Sequence, residues 1–148
     1  MIHAQNHRVV GDVPSAAVGA TATATLVIDT VGSDHASLTV LRASNASTVF
    51  ANVLKVEESD AVGGPFTDVT SFVMGGTGGF TVPAISAAGT ALSSMVKLDV
   101  DTKARRRYLR VSYTPGATAT VAITGRLSRN ETSPENATQV GALAWVRG

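Results

Sequence analysis

Arg107-Tyr108-Leu109-Arg110-Val111-Ser112-Tyr113-Thr114-Pro115-Gly116-Ala117-Thr118-Ala119-Thr120-Val121-Ala122-Ile123-Thr124-Gly125-Arg126-Leu127 reads as two strands with a turn between them. In the first, Leu109, Val111 and Tyr113 alternate with Tyr108, Arg110 and Ser112, so one face is apolar and the other polar. A period of two is the signature of a strand with one face on a core and the other in water. Thr114-Pro115-Gly116-Ala117 then interrupts, because proline fixes φ and has no amide to give to a ladder. Beyond it the alternation resumes, with Val121, Ile123 and Gly125 on one face.

Working outward, the same pattern recurs. Residues 20–29 set Ala20, Ala22, Ala24, Leu26 and Ile28 against Thr21, Thr23 and Thr25. Leu38 and Val40 share a face in 36–41, Leu54 and Val56 in 49–57, and Phe66 with Val69 or Phe72 in 66–73. A short run at 80–82 stops at Pro83, and Val96, Leu98 and Val100 alternate with Lys97, Asp99 and Asp101. Glycine-rich turns separate these runs at 31–34, 63–65 and 75–79. No segment shows helical periodicity with caps, and 86–94 reads as loop. About eight strands with regular turns predict an all-β fold, an antiparallel β-sandwich of jelly-roll or immunoglobulin-like topology. The expected organisation is one domain. Residues 1–18 form an N-terminal arm with an edge strand at 7–10, 19–127 the sandwich body, and 128–148 an extended C-terminal arm.

Composition narrows the function classes. At 148 residues the chain is one domain's length and can bury a core. Charged residues are 16%, below the usual quarter, so part of the surface is expected to face something other than water. The apolar set is mostly Ala and Val with 5% aromatics, which suits a thin sandwich core better than a deep ligand pocket. A net charge of +1 gives no global field for nucleic acid or an anionic membrane. With no cysteine there are no disulfides or thiolate metal sites. Residues 1–6 lack signal-peptide character and no stretch is long and apolar enough to span a bilayer as a helix. The expectation is a soluble protein made and used without export.

The chemical motifs are weak. His3 and His7 have a metal-ligand spacing only on a helix, and no third ligand lies nearby; His35 sits beside a turn. No serine occupies a Gly-x-Ser-x-Gly elbow. Glu57, Glu58 and Asp60, and Asp99 with Asp101, read as solvated strand faces and turn caps, or as arginine partners at an interface. Residues 74–79 lack the Gly-Lys-Ser/Thr ending of a phosphate loop. The basic run Lys103-Ala104-Arg105-Arg106-Arg107 has no aromatic stacking platform beside it and fits a solvated turn or a patch facing an acidic partner. The sequons at Asn45, Asn130 and Asn136 occur without a secretory signal. No catalytic residue, cofactor site or metal site is assigned. The carboxyl end is more telling: a polar linker at 128–136 leads to Val140-Gly141-Ala142-Leu143-Ala144-Trp145-Val146-Arg147-Gly148, with the chain's one tryptophan. A small domain could fold such a tail back on its own body, but an apolar plug on a tether more naturally suits a neighbouring subunit.

Taken in order, several segments carry a resemblance. They are Leu26-Val27-Ile28-Asp29-Thr30-Val31-Gly32-Ser33-Asp34, Val53-Leu54-Lys55-Val56-Glu57-Glu58-Ser59-Asp60, Phe66-Thr67-Asp68-Val69, Arg106-Arg107-Tyr108-Leu109-Arg110-Val111, Thr114-Pro115-Gly116 and Leu127-Ser128-Arg129. From about Ala20 onward the chain resembles the cement or head decoration proteins of tailed bacteriophages. The resemblance implies a jelly-roll-like sandwich with terminal arms and no catalytic residues. It further implies oligomers, dimeric or trimeric, at capsid symmetry axes, clamping the major capsid protein on the outside of a virion assembled in the bacterial cytoplasm. On this reading Trp145, Leu143 and Val146 are the anchor, and Arg105, Arg106, Arg129 and Arg147 pair with capsid carboxylates. Nucleic acid and membrane are not expected partners. The rival is a carbohydrate- or receptor-binding sandwich on the virion or tail.

Overall fold

The alternating stretches become eight strands in the computed structural model, which describes residues 7–85, 93–131, 135–140 and 143–144, side chains 11–15 excepted. In chain order they are β1 (His7–Val18), β2 (Ala24–Asp29), β3 (Ser33–Arg42), β4 (Ala51–Ser59), β5 (Thr67–Val73), β6 (Ser94–Asp101), β7 (Tyr108–Pro115) and β8 (Ala119–Asn130), followed by a helical turn, α1 (Ala137–Val140). They form two four-stranded sheets, ordered β1-β8-β3-β6 and β2-β7-β4-β5.

One rule generates this order. β1 pairs with β8, β2 with β7, β3 with β6 and β4 with β5, all antiparallel. The chain is folded double about the β4–β5 hairpin, and the resulting ribbon is wrapped so that successive segments fall in opposite sheets. Further ladders, β3 with β8 and β4 with β7, complete each sheet. This is the connectivity of a jelly roll. Among consecutive strands only β4 and β5 pair, so the Pro115-Gly116 break carries the chain from one sheet to the other.

The inward faces are those the alternation implies. Leu26 and Ile28 of β2, Leu54 and Val56 of β4, and Leu109, Val111 and Tyr113 of β7 meet Ala36, Leu38 and Val40 of β3, Leu98 and Val100 of β6, and Val121, Ile123 and Leu127 of β8. Each Leu, Ile or Val among them, removed from water, contributes about 1.5–3 kcal/mol before entropy is counted.

The structure departs from the sequence expectations in several places. Residues 20 and 22 are not inward strand positions: a turn closed by Ala22 N–H to Gly19 O at 3.0 Å precedes β2. Methyl groups alternating with threonines make too weak an apolar face to hold a strand there. Phe66 lies before β5, under the guanidinium of Arg110 at 4.2 Å, rather than in the core. Residues 80–82 add only one bridge, Met74 to Phe80, parallel. Finally, the C-terminal segment contains α1. Its Asn136 side chain accepts from Gln139 N–H at 2.9 Å, and the Gln139 side chain accepts from Glu135 N–H at 2.6 Å. Asn-x-x-Gln before an apolar run is a helix-start pattern. The amino-terminal edge strand expected at 7–10 runs the whole length of β1, and β8 continues to Asn130 before the chain leaves the sheet.

Gly125 of β8 faces side chains of β2 in the opposite sheet. A Cβ built there would sit 3.4 Å from both Ile28 Cγ2 and Leu26 Cδ2. A methyl fits and a branched side chain does not. Gly125→Ala is expected to be nearly neutral, whereas Gly125→Val should lose about 1–3 kcal/mol by overpacking in urea unfolding.

Candidate interaction surfaces

The outer face of the β2-β7-β4-β5 sheet is charged, and its charges are paired within the chain. Register sets Glu57 opposite Arg110 and Lys55 opposite Ser112. Arg110 grips Glu57 with two bonds of 2.8 Å, from Nε to Oε2 and from Nη2 to Oε1. Ser112 Oγ donates to Glu57 Oε2 at 2.7 Å, and Lys55 Nζ stands 3.1 Å from Oε1 while bonding Asp68 at 2.7 Å. Glu57 is 4% exposed. Burial pushes its carboxyl up, but the bonds from Arg110, Ser112 and Lys55 outweigh it and bring the pKa down to about 2. Held ionised in this way, Glu57 cannot serve as a general acid.

The basic run is likewise neutralised in cis. Lys103 reaches Asp34 at 3.3 Å and Arg107 reaches Asp29 at 2.8 Å. Of the four arginines expected to meet a partner, two lie in this run: Arg105 stands 3.7 Å from Glu58 and Arg106 3.7 Å from Asp60. Both nearest carboxylates therefore belong to the chain itself, at the β4–β5 hairpin. Arg129 is exposed near the end of β8, at a left-handed φ of 53°. Trp145, Val146 and Arg147 lie outside the described residues.

On the other sheet, Ser128 of β8, His35 of β3 and Asp99 of β6 stand side by side. His35 Nδ1 is 3.1 Å from Ser128 Oγ, and Nε2 is 3.7 Å from Asp99 Oδ1. Sequence reading missed this row because only strand register brings residues so distant together. Its residue types match a hydrolase triad. However, β3 and β8 both carry ladders on two sides, so the amides that would form an oxyanion hole are committed to the sheet. Cross-strand pairing accounts for the row. Asp99 is raised by partial burial and lowered more by Lys97, Ser37 and His35, with a net downward shift.

The two ends of the sandwich differ from these faces. At one end α1 lies against β1 with Val140 buried, so the C-terminal segment returns to its own body at that residue. Leu143, three residues on, is fully exposed. At the other end Val49, Phe50, Met74, Val82, Pro83 and Ala84 line much of a cleft of about 260 Å3. Its near wall is fixed from beneath. Arg42, 1% exposed, donates from Nη1 to Val49 O at 2.8 Å and from Nη2 to Ser47 O at 3.1 Å. Tyr113 Oη donates to Phe50 O at 2.7 Å, and burial holds its pKa up at about 12, so it remains a donor.

Glu57 sets a pH dependence. Its folded pKa lies below the ordinary 4.5, so its contribution is present above that value and fades as pH falls toward about 2. Across that interval wild-type chain should lose roughly 3 kcal/mol from this group, an order-of-magnitude figure. Glu57→Gln should be less stable at pH 7 and show a flatter acid limb in urea titrations between pH 5 and 2.

Comparison with known proteins adds little to this geometry. No family model matches the chain, and no curated protein matches it. Among solved structures, one from work described as "Bacillus endospore appendages form a novel family of disulfide-linked pili" is similar. It shares 17% identity over 86% of this chain and 96% of that one, with a TM-score of 0.33. So low a score carries no argument about what this chain does.

Proposed function

We propose that this protein is a non-catalytic structural component of a tailed-phage head. It binds the outside of the capsid and cements neighbouring major capsid protein subunits. The observation that carries the reading is where the unpaired surface lies. Many charges of the strand faces are neutralised within the chain, while Leu143 is fully exposed just beyond a helix anchored on the body. A rigid β-sandwich carrying an apolar tether is suited to bridging subunits. This agrees with the resemblance of the strand series to decoration proteins.

In this mechanism α1 fixes where the tether leaves the body, through buried Val140. Leu143, Trp145 and Val146 then insert into a neighbour, with tryptophan as the side chain most enriched in binding hot spots. Arg129 and Arg147 set register at the rim, where exposed ion pairs contribute specificity more than affinity. Many weak contacts on a symmetric lattice act through effective concentration, so high occupancy does not require a strong single contact.

A glycan-binding reading has less support. Sugar sites are usually floored by exposed aromatic rings. Here Tyr113 is buried on Phe50 with ring centroids 5.3 Å apart. Arg107 stacks on Tyr108 at 5.0 Å, and Arg110 on Phe66 at 4.2 Å.

Deleting residues 141–148 keeps Val140 and α1 and should leave the body folded. Co-sedimentation with phage heads lacking their decoration protein should fall at least tenfold, and the heads should lose their added heat resistance. Full decoration by the truncated chain, at the wild-type ratio to capsid protein, would sink the proposal.

A further inference from the structure

Two apolar features occupy opposite ends of the sandwich. One is the cleft beside β4 and β5, with Val49 48% exposed at its rim. The other is the chain beyond α1, with Leu143 fully exposed and Trp145 two residues later. We infer that the cleft of one copy receives Trp145 of a second copy of this chain, joining copies head to tail. The inference rests on the reading of the C-terminal segment as an anchor that works in trans, and it names the surface that receives it.

Chain length excludes the chain's own cleft. Thr138 and Gln139 of α1 lie beside Asp29, which is in register through Tyr108 with Ser59 at the far end of β4. The cleft lies at Ala51, the opposite end of that strand. The eight residue steps of β4 cover about 26 Å, and crossing from β2 to β4 adds about 10 Å sideways, a separation of roughly 28 Å. From Val140 to Trp145 is five residues, at most about 18 Å of extended backbone. The route also has to bend around the body, and the indole's own length does not make up the difference.

The cleft suits the occupant. Among the described residues no charged side chain lines it, and a volume of about 260 Å3 accommodates an indole. Its wall is preformed: Arg42 and Tyr113 hold the carbonyls of Val49 and Phe50 in place, so docking need not order that segment. Because donor and acceptor surfaces differ and lie at opposite ends, the contact is heterologous. It is also small. One indole buries about 150–250 Å2, well under the roughly 1,000 Å2 of a stable interface. Isolated copies should therefore associate weakly, and the contact should fill when a lattice concentrates them.

The single tryptophan makes the test direct. Ala84→Arg, at an exposed wall of the cleft, blocks the acceptor and keeps Trp145; Trp145→Ala keeps the cleft and has no indole emission. Circular dichroism establishes that both fold, and Thr81→Arg serves as a second cleft variant. The Ala84→Arg chain alone should show solvent-exposed emission at all concentrations. Titrating it with an excess of the Trp145→Ala chain, up to millimolar concentration, should shift its emission to shorter wavelength along a saturable one-site isotherm. Titration with the double variant should give no shift. Emission that is already blue at the lowest concentration, or unmoved by the titration, overturns the inference. Heads that need Trp145 for decoration while the titration is silent also overturn it, and leave the capsid reading standing. A saturable titration with no decoration of heads supports this pairing and removes the capsid reading instead.

Discussion

The sandwich depends on its last strand entering between its first and third. β8 pairs with β1 on one side and β3 on the other, and it sends Val121, Ile123 and Leu127 into the core. Until it arrives, that sheet is split and the apolar face of β2-β7-β4-β5 is only half covered. The wrapped ribbon makes the first and last strands partners, so most contacts are distant in sequence and loop closure must precede reward. One consequence is positional. The chain leaves β8 beside β1, which is why α1 finds β1 to pack on and why the tether starts from that end.

The electrostatics follow from the same register. Antiparallel pairing of β4 with β7 puts Glu57 against Arg110, and pairing of β2 with β7 brings Asp29 near Arg107. A face built this way has spent its charges internally. It stays hydrated and offers a passing partner little unbalanced charge, and a net charge of +1 adds no long-range field. On the proposed reading, contacts with other proteins draw on the apolar side chains at the ends, Val49 and Leu143 among them.

Much of this was legible because a period of two needs no knowledge of neighbours. Leu109, Val111 and Tyr113 declare their face from spacing alone, as do Leu38 and Val40. What spacing cannot supply is register. The Arg110–Glu57 clamp and the Ser128–His35–Asp99 row join residues that only strand pairing brings together. Arg105 and Arg106 looked free for the same reason, since Glu58 and Asp60 face them across a turn and a ladder. Phe66 misled because a large ring fits a core pattern but here lies flat beneath a guanidinium. The start of α1 was readable in Asn136 and Gln139, yet a four-residue helix shows no periodicity to find.

Arg42 ties the core to the wall of the cleft. A cation with its side chain wholly inside a sandwich costs desolvation, and among the described residues no carboxylate compensates it. A methionine would fill similar space with less penalty. It could not bond two carbonyls at once, and those carbonyls belong to Ser47 and Val49, in the loop that climbs from β3 to the cleft. Tyr113 repeats the device one residue on, spending a buried hydroxyl on Phe50 O. Two buried donors aimed at consecutive residues of one loop make a stiff wall, where an apolar core would have let the loop shift with each neighbour. Stiffness matters most for a small contact: with only one side chain's area to gain, little is left over to order the surface that receives it.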